Sequence, residues 1–158
     1  MSLISTIISL VLVFLGQQYV APLLQIGNIK PDFILIFLIF IAARYGRMTG
    51  IIIGFGAGLF QDLTGSLTVL GASALVNSCV GFVVGTLNGN LTVWTSRVVN
   101  LYIYASLAGH AILYQFIMLL GLKAPFALYM NNMLIEFIIS VVLITGSRYL
   151  IPLVAKDS

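Results

Sequence analysis

One stretch of the chain, GIIIGFGAGLFQD at 50–62, joins an apolar helix to a carboxylate. Gly50, Gly54 and Gly58 recur every fourth residue and Asp62 continues the series, so a bare backbone stripe and an ionisable group share nearly one helix face. The sequence around it is 61% hydrophobic and 7% charged, with a mean hydropathy of +1.16. These values predict an integral membrane protein, in which a buried carboxylate needs a partner or a task.

Charged and turn residues divide the 158 residues into six apolar segments. They predict an all-α polytopic membrane protein, a single domain over 1–158 with six transmembrane helices. The predicted helices cover about 2–25, 32–45, 47–64, 67–88, 98–121 and 126–148. We interpret the first segment as a retained helix, because it carries no Lys or Arg and is too long for the apolar part of a signal peptide.

The basic residues favour a topology with both termini in the cytoplasm. Five of them then lie on the inner side and two in outer loops: Arg44, Arg47, Arg97, Arg148 and Lys156 against Lys30 and Lys123. Single, scattered charges of this kind argue against nucleic acid as a partner. With one cysteine and one histidine there is no Cys/His set for zinc, so we expect no metal and no cofactor.

The second segment is too short to cross a bilayer in a relaxed way. Lys30-Pro31-Asp32 and Arg44 bracket eleven uncharged residues. Either Arg44 and Arg47 therefore snorkel, or this helix sits inside the bundle. Pro31 suits the first helical turn and Asp32 complements the positive end of the helix dipole. A partner-binding role for Lys30-Pro31-Asp32 is the alternative.

Small and polar residues also recur every fourth position on the fourth helix, at Ser73, Asn77, Gly81 and Gly85. Close backbone approach through such residues holds membrane helices together, so we expect the third and fourth helices to touch. Packing is the more common meaning of a glycine stripe.

Asp62 lies near the outer end of its helix, where its carboxylate either reaches interfacial water or anchors a cavity group or an outer-loop lysine.

The fifth and sixth helices carry polar stripes of their own. His110 and Tyr114 lie on the fifth helix, and Asn132 and Glu136 lie on the sixth. Counting from the helix ends puts His110 and Glu136 near the bilayer midplane, where a lone ionised group costs about 2.5–3.5 kcal/mol. We therefore hypothesise a contact between these two side chains.

The sequence contains no GxSxG, HExxH, P-loop or dinucleotide-binding motif. Its one histidine has no serine or cysteine nearby in the context of a nucleophile. We therefore expect a protein that is not an enzyme.

Three motifs taken together have a family counterpart: KPD at 30–32, the basic loop 44–47, and above all GFGAGLFQDL at 54–63 followed by Gly71. With them the chain resembles the MreD family of bacterial rod shape-determining proteins. The resemblance extends over essentially the full length through size and helix number.

The resemblance implies a non-enzymatic, multi-pass protein of the bacterial cytoplasmic (inner) membrane that serves peptidoglycan elongation. It implies binding to MreC, a bitopic protein with one transmembrane helix, and through MreC a link to MreB filaments, the RodA glycosyltransferase and its class B transpeptidase. The glycine stripes would then serve the bundle or receive the partner helix. Gln61 and Asp62 would hold a polar contact that fixes the geometry.

The six-helix arrangement of this family also resembles the S component of energy-coupling factor vitamin transporters. The alternative function is therefore a small-molecule binding subunit of a membrane transporter, with a pocket lined by Asp62, His110, Tyr114, Asn132 and Glu136. The first helix lacks the alanines four apart through which S components dock, which weakens this alternative. A third possibility is a stability factor whose polar residues bond only to each other.

Overall fold

The computed structural model describes residues 3–25, 29–64, 69–91, 93–121 and 126–150. The regular structure of these residues is helical, which confirms the predicted all-α class. It comprises α1 Leu3–Tyr19, a 3-10 helix Ala21–Leu24, α2 Phe33–Tyr45, α3 Arg47–Thr64, α4 Ala72–Gly85, α5 Ser96–Gly121 and α6 Phe126–Leu150.

Two helices are shorter than the sequence predicts. α1 stops at Tyr19, and the 3-10 helix that follows has a proline in its first turn, which lacks the N–H needed to continue α-helical bonding. α4 begins at Ala72 instead of 67, after Gly71, whose φ of +93° breaks the helix. It ends at Gly85 and continues as turns through 86–91.

The short helix α2 forms the centre of the bundle. Eight of its 13 residues are buried, and it packs against α1, α3, α4 and α6. Leu35, Leu38 and Ile39 are fully enclosed in a cluster that continues into α4, α5 and α6. A helix surrounded by protein does not have to match the bilayer thickness, which accounts for its length.

The outer helices present apolar faces. α5 over Ser96–Gly121 and α6 over Tyr129–Ser147 are long and apolar enough to cross a membrane, and shorter apolar stretches occur in α1, α2 and α4. Large exposed side chains on these faces include Leu12, Leu101 and Val142. An apolar outer surface of this kind suits lipid better than water.

Candidate functional site

The closest helix pair is α3 with α4, which pack antiparallel through small residues. Four contacts follow one another along the interface: Gly50 with Gly81, Gly54 with Asn77, Gly58 with Ser73, and Gly85 with Arg47. A Cβ built on Gly54 would lie 2.6 Å from the carbonyl oxygen of Asn77, and one on Gly58 would lie 2.5 Å from that of Ser73. Side chains cannot be accommodated at such distances, so the glycines set the separation of the two helices.

The same register brings Asp62 to the start of α4. Its side chain is buried, and Oδ2 accepts hydrogen bonds from the backbone N–H of Gly71 at 2.9 Å and of Ala74 at 3.4 Å. Oδ1 accepts a third from the N–H of Ser73 at 3.2 Å. The carboxylate therefore satisfies the free amides of α4 and complements the positive end of its dipole. This partner is the backbone itself and not the cavity group or lysine considered from the sequence.

A second carboxylate, Asp32, caps α2 in a similar way. Its Oδ1 accepts the N–H of Leu35 at 2.9 Å, and its Oδ2 accepts Nε2 of Gln61 at 3.3 Å. Gln61 Oε1 in turn lies 3.5 Å from Nδ2 of Asn77. Asp32 is the N-cap residue, so Pro31 lies before the helix. The expectation from the sequence that Pro31 lies in the first turn is therefore wrong. Gln61 thus links the start of α2 to α4.

Gln17 joins α1 to the same region. Its Nε2 donates to the carbonyl oxygen of Pro31 at 3.0 Å, and its Oε1 accepts the N–H of Phe33 at 2.8 Å. Lys30, next to them, is exposed. Sequence reasoning did not select Gln17, although an amide near the end of an apolar helix is itself a signal, because a polar side chain facing lipid needs a partner.

The hypothesised contact between α5 and α6 is present. His110 Nδ1 lies 3.1 Å from Glu136 Oε1, and Gln115 donates through Nε2 to Glu136 Oε2 at 2.8 Å. The ring of Tyr114 stacks parallel to that of His110 with centroids 6.0 Å apart. The Tyr114 side chain also approaches that of Ser73, which brings this pair of helices next to α4.

These contacts form one group, which we call the polar cluster, with members on five helices and at the N-cap of α2. Its carboxylates are those of Asp32, Asp62 and Glu136, and Tyr114 belongs to it through the ring of His110. The remaining members are Gln17, Gln61, Ser73, Asn77, His110 and Gln115. Asn132, also predicted for this site, is half-buried one turn before Glu136 and has no hydrogen bond to the cluster within the described residues.

The cluster joins helices to each other through groups that are already engaged. Within the described ranges no three His, Cys, Asp or Glu side chains are grouped so that they could hold a metal ion. Asn77 is an exception among these engaged groups. It is wholly buried, and its Oδ1 has no hydrogen-bond partner among the described residues.

The two arginines predicted for the cytoplasmic side lie at the opposite end of α3. Arg44 and Arg47 are exposed, and the guanidinium of Arg47 lies over the ring of Phe82 at 5.6 Å from its centroid. The carbonyl oxygen of Arg44 accepts a hydrogen bond from the side-chain amide of Asn88. These contacts fix the α2–α3 turn against the last turns of α4 and the residues that follow it.

The family comparison matches nearly the whole chain. A family model described as rod shape-determining protein MreD matches residues 2–154. No curated protein and no solved structure matches the chain. The match includes the glycine stripe, the polar cluster and the motif at 54–63, and it confirms the resemblance noted from the sequence. The chain therefore belongs to the MreD family of rod shape-determining proteins.

Proposed function

We propose that this chain is a non-enzymatic scaffold of the bacterial cytoplasmic membrane that binds an MreC-like bitopic protein during cell-wall elongation. Membership of the MreD family supports a role in rod shape determination and a membrane location. Through its partner the scaffold links MreB filaments to RodA and the class B transpeptidase of peptidoglycan synthesis.

The observation that carries this proposal is how the buried polar groups are used. Asp62 binds the amides at the start of α4, and Glu136 is held by His110 and Gln115. Groups engaged in this way fix the helices relative to one another, and buried polar networks that are satisfied favour one defined arrangement. A scaffold needs such an arrangement, because it must present a constant surface to the helix of its partner.

The proposed topology has six membrane spans with both termini in the cytoplasm. The two long apolar helices α5 and α6 support spanning. Arg44, Arg47 and Arg97 are exposed, and the first two lie on either side of the α2–α3 turn. A cytoplasmic position for these three side chains agrees with the preference of basic residues for that side.

Native mass spectrometry in mild detergent tests the proposal. The chain is co-expressed with the MreC-like protein of its host, and in parallel with an MreC-like protein whose transmembrane helix has been exchanged for an unrelated one. We expect a stable complex with the first and none with the second. Absence of a complex with the native partner would contradict the scaffold function.

Asp62→Ala tests whether the polar cluster shapes the partner surface. The substitution releases the start of α4 from α3, so we expect the folded variant to retain less of the partner than wild type. Asp62→Asn keeps an acceptor oxygen and is the matched control. Normal partner binding by a folded Asp62→Ala protein would mean that this carboxylate does not contribute to the partner surface.

The alternative, a small-molecule binding subunit like an S component, receives less support from the geometry. Four of the five side chains that would line its pocket, those of Asp62, His110, Tyr114 and Glu136, already contact other residues of the cluster. The same mass spectra distinguish the two functions. A chain without protein partner that carries a small molecule would favour the transporter subunit.

A further inference from the structure

A groove between α4 and α5 lies on the outside of the bundle. It has a volume of about 330 Å³ and an almost wholly apolar lining. Cys79 and Val83 form its α4 wall, and exposed side chains of α5 form the other. The buried residues Ser106 and His110 also line it, so the groove adjoins the polar cluster, although its exposed lining is almost wholly apolar and it opens to the outside of the bundle.

Part of the α5 wall is bare. A Cβ built on Gly109, which lines the groove, would meet no atom within 4 Å. Ala105, one turn earlier, is also small and exposed. Described side chains of this chain therefore leave the space beside Gly109 open, and an apolar group that filled it would gain dispersion contacts with the walls.

We propose that this groove is a binding site for one acyl chain of an anionic phospholipid, whose phosphate contacts Arg97. The site depends only on the membrane location of the chain and is independent of partner binding.

The dimensions of the groove favour a hydrocarbon chain. From Leu101 to Leu113 the α5 wall is about 18 Å long at 1.5 Å per residue. An acyl chain is thin, flexible and apolar throughout, so it can lie along an open groove of this length beside Ala105 and Gly109.

The mouth of the groove has the groups that a phospholipid headgroup requires. Arg97 precedes Leu101 by one helical turn, on the groove face of α5, and is exposed. No carboxylate in the described part of the chain forms an ion pair with it. Tyr102, a lining residue, contacts Trp94 with ring centroids 5.1 Å apart. Aromatic rings beside a basic residue are typical of the headgroup level of a membrane.

Photocrosslinking in nanodiscs tests the position of the acyl chain. The discs consist of phosphatidylcholine with a small fraction of phosphatidylglycerol that carries a diazirine in one acyl chain, and adducts are mapped by mass spectrometry. We expect wild-type adducts on Cys79, Val83, Ala105 and Gly109, several-fold above those on Ile138 of the exposed α6 face. Excess unlabelled phosphatidylglycerol should suppress the groove adducts, a result that needs no variant.

Gly109→Leu fills the groove and should lower the yield of groove adducts several-fold. Gly56→Leu is the matched control, because Gly56 is exposed on α3 and its Cβ position is likewise free of atoms within 4 Å. Adducts spread evenly over α4, α5 and α6, or adducts insensitive to Gly109→Leu, would overturn the proposal. The proposal is also overturned if the transmembrane helix of a bound partner crosslinks to the groove walls and excludes the lipid. The occupant of the groove is then a helix and not an acyl chain.

The headgroup contact is tested with two probes that share the diazirine chain and differ in headgroup. One basic residue at the membrane surface corresponds to about a fivefold preference for anionic lipid. We expect this preference for phosphatidylglycerol over phosphatidylcholine in wild type and in the control Arg44→Gln, and a ratio near one in Arg97→Gln. Equal labelling by both probes in wild type would refute the role of Arg97.

Discussion

The backbone N–H of Gly71 donates a 2.9 Å hydrogen bond to Oδ2 of Asp62, nine residues earlier at the end of α3. Gly71 is the N-cap residue of α4 and has no side chain to accept the first amides of that helix. Asp62 takes over this role from the neighbouring helix. One carboxylate therefore caps α4 and also holds it against α3.

Removing this carboxylate should weaken the bundle. Asp62→Ala leaves buried amides of α4 without an acceptor, and we expect the free energy of unfolding to fall by about 1–3 kcal/mol. Asp62→Asn retains one acceptor oxygen and should lose less. Thermal unfolding in detergent, followed by the fluorescence of the single tryptophan Trp94, measures both. An unfolding temperature for Asp62→Ala equal to that of wild type would show that the cap does not stabilise the fold.

Two glycines of α3, two residues apart, should respond in opposite ways to the same substitution. The new methyl group of Gly54→Ala meets the backbone carbonyl of Asn77 at 2.6 Å, and a helix backbone cannot rotate away. We expect a loss of about 1–3 kcal/mol in unfolding free energy from this overpacking. Gly56→Ala meets no atom within 4 Å and should be neutral or stabilising by up to about 1 kcal/mol, the difference in helix propensity.

The two variants are compared by the same unfolding measurement in the same detergent. Equal stability of Gly54→Ala and Gly56→Ala would mean that α3 and α4 are not in the close contact described.

The contact between α3 and α4 could be predicted because its signal is local: glycines four apart on each helix line one face. The partners of Asp62 could not be predicted, because they are backbone N–H groups, which almost every residue type has. The start of α4 was predicted too early for a related reason. The apolar residues at 69 and 70 predict helix, but Gly71, in a left-handed conformation, is the N-cap residue and α4 begins after it.

The cluster around Glu136 was predicted in part. Its contact with His110 followed from the cost of isolated ionisable groups in lipid. Gln115 was missed, although the same cost applies to an amide side chain within an apolar helix. The apolar groove gave no signal either, because Ala105 and Gly109 look like ordinary residues of a membrane helix until the position of α4 is known.

Asn77 offers a test of whether every buried polar group stabilises the fold. Its Oδ1 has no partner among the described residues, and its one hydrogen bond, to Gln61, is 3.5 Å long. Removing a poorly satisfied polar group in favour of an apolar one of similar shape can be neutral or stabilising. We therefore expect Asn77→Leu to change the free energy of unfolding by no more than about 1 kcal/mol.

Gln61→Leu is the comparison for Asn77→Leu, because it also removes the bond to Asp32 and should cost more. The two are measured by thermal unfolding side by side. A loss above about 2 kcal/mol for Asn77→Leu would indicate that its carbonyl oxygen is bound in the membrane protein, by water or by another group.

The pair formed by His110 and Glu136 should appear as a coupling energy. Either alanine substitution alone leaves one buried polar group without its partner at 3.1 Å, whereas the double substitution removes both. The double variant should therefore lose less stability than the two single losses added, by about 0.6 kcal/mol and at most about 1.7 kcal/mol, the average and the maximum measured for polar contacts between membrane helices. A cycle of His110→Ala with Asn132→Ala is the control. Asn132 lies on α6 one turn before Glu136, and the effects of these two substitutions on stability should add. Additivity of the His110 and Glu136 effects would show that their contact contributes nothing to holding α5 against α6, and the engaged carboxylates of the polar cluster would then not support a rigid scaffold.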